Sequence, residues 1–422
     1  MIDRTHAPEI SIPSSVPIAE AALRTMKNGV PVYTISAGTQ EVVKIELIFA
    51  AGNISAEKTL IATATNDLMD EGSLNFSSSE IAEALDYYGA YLHSENGADW
   101  SSHSMYSLNK FVEDTLPYFQ EIITQPLFPS KETQTYRQQG KQRLLVNQSK
   151  VDYIARVHFS QALFGKEHPY GRKTEIEDYD MLSTESLAAF HTKQYKNGLR
   201  AVFISGLVSS NLVDKIINML ESMNCKKGAL PTIPLISYTP VKKFVEKEDA
   251  IQSAIRIGRR TFTREHPDFI LFSVLNTILG GYFGSRLMAN IREDKGYTYG
   301  IGSGLVSLDQ EGYFFISTEV GADVREAAVK EIYHEIARLR DELVPEAELT
   351  LVKNFITGSF QRSIDGAFAL AEKHKMLALN NLPISYLNDY LVKIKAISPA
   401  QLKECANRYL QAGDLCEIVV GK

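Results

Sequence analysis

Cysteine and tryptophan are scarce here, and no histidine stands within four residues of another. The 422 residues hold three cysteines and one tryptophan. Cys225, Cys405 and Cys416 form no C-x-x-C pair and are too few for a disulfide framework or a cysteine-rich zinc site. Free thiols in a reducing compartment are expected, with a Cys405–Cys416 bridge as the unsupported alternative. The histidines (6, 93, 103, 158, 168, 191, 266, 334 and 374) offer no H-x-x-x-H helix face for a metal. No apolar run reaches the roughly 18 residues a membrane helix needs, and no apolar stretch follows a basic start as in a signal peptide. A cytoplasmic chain is the default expectation, a periplasmic one if a leader has been removed. A basic surplus is also missing: 44 Lys+Arg against 51 Asp+Glu give a net charge of -7, which argues against nucleic acid as the main partner.

What is present is an ordinary globular composition, 44% hydrophobic and 23% charged, long enough for two or three domains. Val43, Ile45 and Leu47 alternate with Lys44 and Glu46, the period of a strand with one wet face. Thr59 to Met69 reads as a helix ended by Asp70, Glu71 and Gly72. Ser77 with Glu80 is a capping box opening the next helix, which Gly89 stops. AYLHSENG and WSSHSMYSL form a hairpin, helices follow over 111–123, 130–148, 150–164 and 183–194, and LRAVFISG (199–206) closes the first half. The second half repeats the order, from a strand at 252–260 through helix, two strands (YTYGIGSGL and GYFFISTEV) and further helices to a closing LCEIVVG. The spacing of about 210 residues predicts an internal duplication. The expected domains are 1–225 and 245–422, joined by a proline-rich linker over 226–244, behind an N-terminal arm bearing Pro8, Pro13 and Pro17. Each is expected to be an α+β unit of about 200 residues with helices packed against an antiparallel-rich sheet.

The segments NTILGGYFGSRLMANIREDKGYTYGIGS (276–303) and LFGKEHPYGR (163–172), with the NG-V-P-V opening and AAG at 50–52, resemble the insulinase-like zinc peptidases, which include pitrilysin and the mitochondrial processing peptidase. The resemblance covers nearly the whole chain and implies a LuxS/metallohydrolase-like fold. Its chemistry needs H-x-x-E-H on a first-domain helix, two imidazoles on one face with a glutamate to activate water. Aligned on Gly72, Thr63 stands at the first histidine, Asn66 at the glutamate and Asp67 at the second histidine. Arg143 stands near the third ligand. No zinc ligand survives except Asp67, and Arg143 would repel a cation. Asp67 and Glu71 share a helix face, but clustered acids at a helix end are far more often solvated surface than a metal site.

Arg292 and Tyr299, seven residues apart in IREDKGYTY, match the family's second-domain pair, which the resemblance implies grips the substrate carbonyl and stabilises the oxyanion. Seen alone, Arg292 would be a surface ion-pair partner and Tyr299 a packed strand aromatic. Gly280 and Gly281 are expected to let their loop approach a peptide closely. The expected function is the non-zinc subunit of a heterodimeric metalloendopeptidase. It has no cofactor of its own. Its partner is a homologous H-x-x-E-H chain carrying the zinc, its substrate is a peptide or unfolded segment, and a homodimer is open to the isolated chain. The rivals are an inactive scaffold or peptide-binding protein of the same fold and, more remotely, a serine hydrolase built on Ser77, Ser78 and Ser79.

Overall fold

The structure is a computed structural model that describes residue 16, residues 18–234 and residues 236–422. The N-terminal arm with Pro8, Pro13 and Pro17, and His6, lie outside the described residues. The first half runs β1 (Ala22–Thr25), β2 (Pro31–Ser36), β3 (Val42–Phe49), α1 (Ile61–Leu68), α2 (Ser78–Tyr88), β4 (Tyr91–Asn96), β5 (Ser101–Leu108), α3 (Val112–Thr124), α4 (Ser130–Gln148), α5 (Val151–Phe164), α6 (Thr184–His191), β6 (Leu199–Gly206) and α7 (Ser210–Ser222). The second runs β7 (Lys242–Glu246), β8 (Gln252–Thr261), α8 (Phe269–Asn276), β9 (Ile301–Ser307), β10 (Gly312–Gly321), α9 (Arg325–Asp341), α10 (Glu346–Arg362), α11 (Ala367–Leu379), α12 (Ser385–Asn388), α13 (Tyr390–Ala396), α14 (Pro399–Tyr409) and β11 (Cys416–Gly421).

The capping box at α2 forms as expected: the Ser77 side chain accepts from the Glu80 amide and the Glu80 carboxylate accepts from the Ser77 amide. Ser77 and Ser79 are engaged with this cap, so the serine run is a helix start. Gly72 does not end α1, which stops at Leu68; its carbonyl instead accepts from Leu127 in the turn beyond.

The duplication is visible in the sheets. Strand order β2-β6-β3-β5-β4 in one sheet matches β7-β11-β8-β10-β9 in the other, with β1 added at the first edge. Pair directions correspond throughout: β2–β6 and β7–β11 are parallel, every other pair antiparallel. β7 starts inside the proline-rich stretch, so Lys242–Phe244 belong to the second sheet. One core draws only on the first half, from Met26 to Cys225, and a second only on residues from Ile255 to Val419. All three cysteines are free and buried.

The expected wet sheet face is corrected by the structure. Lys44 and Glu46 on β3 are buried, because α11 of the second half lies across the first sheet. Leu370, Ala371 and Leu377 of α11 pack there with Ile35, Ile48, Ala201 and Phe203. In return α5, a first-half helix, covers the second sheet, setting Val151, Ala155, Phe159 and Leu163 against Ala254, Ile418 and Val420. Each half thus supplies a helix to the other's sheet. The charges survive by pairing. Lys44 Nζ lies 2.9 Å from Glu46 and 2.8 Å from Glu372, while Lys375 Nζ lies 2.8 Å from Glu46. Burial opposes the charge on Lys44, but the two carboxylates outweigh it and raise its pKa. On the other sheet Arg256 meets Asp152 of α5 at 3.0 Å.

Residues 163–172 join the halves as well. Phe164 meets Tyr313 edge to face, and the Tyr170 hydroxyl donates to Asp99, whose other oxygen accepts from the Asp309 amide at 2.9 Å.

Removing one member of a buried ion network leaves its partners desolvated and unpaired, at a cost of about 3 kcal/mol or more. Glu46→Ala should therefore lower the calorimetric melting temperature by several degrees. Asp214→Ala, which removes an exposed partner of Arg24, should cost under about 1 kcal/mol. Equal effects of the two would remove the ionic network from this account.

Candidate functional site

Helix α1 follows Leu60, its N-cap, which is held in the left-handed region at φ 71, and buries Ala62, Ala64 and Leu68. This orientation gives Thr63, Asn66 and Asp67, the α1 residues expected at zinc-site positions, their surroundings. Thr63 accepts from Asn96 at 2.9 Å, and the same amide reaches Asn53 at 3.0 Å. Asn66 is buried, with its carbonyl accepting from the Tyr195 hydroxyl at 3.1 Å. Asp67 accepts from the Tyr136 hydroxyl at 3.0 Å. Packing raises the Asp67 pKa, with Tyr136 and the Arg143 guanidinium pulling the other way. The neighbouring Asp70 is pushed up to about 6, first by its surroundings and then by Glu71 and Asp67.

A hydroxyl, an amide, one engaged carboxylate and a cation do not fit the three nitrogen or carboxylate ligands of a catalytic zinc. Among the described residues no group of three or more His, Cys, Asp or Glu is placed to hold a metal. His93 and His103 do not face each other: His93 opposes Ser104 and His103 opposes Ser94, which sends their side chains to opposite faces of the sheet. His93 is exposed, and His103 lies buried among Phe49 and Tyr195 with Nε2 unpartnered.

The second-half pair is placed differently. After α8 the chain widens into a π-helical turn, Thr277–Gly281, and after a short loop into another, Met288–Asp294, which carries Arg292. Such widened turns are uncommon and concentrate at functional positions. Tyr299 lies before β9 and not within it, and its side chain is 93% exposed. It is no packed strand aromatic. Among the described residues no hydrogen bond or ion pair engages Arg292; its guanidinium carbon lies 4.6 Å from the ring centre of Phe283 and 5.6 Å from that of Tyr299. Gly280 is buried, and a side chain there would strike Ser303 of β9, so internal packing accounts for it without a peptide. Gly281 is at the surface.

The structure therefore brings Arg292 and Tyr299 together, and separately gathers Thr63, Asn66 and Asp67 on one helix with Arg143 acting on Asp67. No hydrogen bond, ion pair or ring contact among the described residues joins the two groups. Four tyrosine and asparagine partners of α1 (Tyr136, Tyr195, Asn53 and Asn96) were not legible as site residues, since polar partners distant in sequence leave no periodic signal. Phe283 carried a weak signal, an aromatic set between Gly281 and Gly284.

Two outcomes follow from this chemistry. Chain purified and dialysed without chelator should contain no stoichiometric zinc by elemental analysis. One zinc per chain that disappears in Asp67→Ala would place a metal here. Burial holds His103 down to about 3 and His191 to about 4, so both stay neutral when folded. Below about pH 6.5 the unfolded chain binds protons that the folded chain refuses, so stability falls with pH by up to about 1.4 kcal/mol per unit for each histidine. His103→Leu should make the melting temperature less dependent on pH between 6.5 and 4.5, and an unchanged slope would contradict the neutral buried imidazole.

Comparison with known proteins agrees with this architecture. Residues 182–356 match the family model described as the peptidase M16 inactive domain. The uncharacterized zinc protease YmxG of Bacillus subtilis is 22% identical over 352 residues, covering 81% of this chain and 84% of that one. The probable inactive metalloprotease YmfF of the same organism is 22% identical over 68% of this chain and 71% of its own length. The crystal structure of a peptidase M16 inactive domain from Pseudomonas fluorescens superposes with a TM-score of 0.87 at 23% identity, over 96% of this chain and 98% of that one. The chain is thus similar to the insulinase-like, peptidase M16 proteins, over residues 182–356 to their inactive domain and over most of its length to relatives named as zinc proteases or as a probable inactive metalloprotease.

Proposed function

We propose that the chain is the non-zinc subunit of a two-chain M16 endopeptidase. The observation that carries this reading is the state of Arg292 and Tyr299. Among the described residues no carboxylate pairs with Arg292, and the 93% exposed Tyr299 has no packing role that explains it. Both are hydrogen-bond donors, and donors held where charge develops on a scissile carbonyl stabilise the transition state. Zinc and the attacking water belong to the partner, a homologous two-domain chain bearing H-x-x-E-H. The two chains face each other around a chamber that admits extended peptides or unfolded segments. Arg292 and Tyr299 polarise the carbonyl and hold the oxyanion, and Gly281 lets the peptide backbone come close.

A second reading is a non-catalytic member that binds peptide or protein surfaces. It is supported by the name of YmfF, a probable inactive metalloprotease, and by the family model's description.

The experiment that separates them mixes the chain with its zinc-bearing homologue and follows cleavage of a short quenched peptide. Activity that neither chain shows alone is expected. Tyr299→Phe removes one oxyanion donor at a cost of about 3 kcal/mol, roughly two orders of magnitude in turnover, and Arg292→Ala should cost at least as much. Association, checked by gel filtration, should survive both changes. Mutant mixtures cleaving within twofold of wild type would hand the lead to the scaffold reading.

A further inference from the structure

The loop between the two π-helical turns contains consecutive aromatics that diverge. Tyr282 turns back onto α10, with its ring 5.0 Å from that of Phe355. Phe283 instead goes to Arg292 and remains 65% exposed. A ring left so open is not held there for burial, and its recorded partner is the guanidinium. An arginine with no carboxylate partner among the described residues would otherwise spread over many rotamers and aim its fork nowhere in particular. Attraction of the cation to a ring face limits that spread while using none of its five N–H donors, which an ion pair would have consumed. The ring centre of Tyr299 lies 5.6 Å from the same guanidinium carbon.

We propose that Phe283 is a positioning residue, holding the Arg292 guanidinium oriented for a peptide carbonyl while leaving its donors free. The proposal rests on the role given to Arg292 above, but the orientation itself is measurable without any partner chain. Phe283→Leu keeps apolar bulk and removes the ring face; Phe283→Tyr keeps the face. Because the side chain is exposed, neither change threatens the fold, and circular dichroism checks this.

In the isolated chain labelled with nitrogen-15, the Arg292 Nε–Hε signal, assigned by its loss in Arg292→Lys, should shift in Phe283→Leu and stay near its place in Phe283→Tyr. In the mixture with the zinc-bearing homologue, Phe283→Leu should lower kcat about two- to fivefold, the effect of an exposed cation–π contact, with Phe283→Tyr restoring it. An unmoved Arg292 signal in Phe283→Leu overturns the proposal. So does a moved signal with unchanged kcat, provided Arg292→Ala lowers kcat in the same mixture. If Arg292→Ala itself leaves kcat unchanged, it is the subunit reading that fails, and Phe283 then has no catalytic purpose to serve.

Discussion

Each sheet in this protein has two apolar faces and only one set of helices of its own to cover them. The second face is closed by exchange, α11 lying on the first sheet and α5 on the second. Without that exchange Phe203 and Ile418 would be left facing water, and the Lys44–Glu46–Lys375 network would have no reason to form. The arrangement fixes the two halves against each other, and residues 163–172 tighten the joint through Tyr170, Asp99 and Asp309. A rigid pair of halves gives the surface loops of the second one a stable base.

On that base the two groups of site residues have different characters. The α1 group is tied inward: Thr63, Asn66 and Asp67 each have a polar partner in the first half, so these side chains serve as structural contacts. The Arg292 and Tyr299 group is turned outward, on a backbone widened by π-helical turns. Among the described residues Arg292 has no ion-pair partner, and it lies beside an exposed tyrosine. That contrast supports reading the molecule as one half of a divided active site.

Much of the architecture was legible in the sequence because it is local. The Ser77–Glu80 box, the Gly89 stop and the strand at 199–206 all rest on neighbours a few residues apart. The repeat could be read because hydrophobic period survives duplication. The covered faces could not. Lys44 and Glu46 have the pattern of solvated residues, and they are buried only because Glu372, 328 residues further on, and Lys375 arrive with complementary charge. Tyr299 was legible as a candidate only through its motif, since a tyrosine among alternating residues has the pattern of a strand aromatic.

The measurement that tests the proposed division most directly is native mass spectrometry of this chain mixed with an H-x-x-E-H homologue, with zinc counted per complex. The account predicts a one-to-one pair holding a single zinc, lost when the partner's two histidines are replaced and unaffected by changes at Thr63, Asn66, Asp67 or Arg143. A pair holding two zinc ions, or one whose zinc departs when Asp67 is changed, would contradict it.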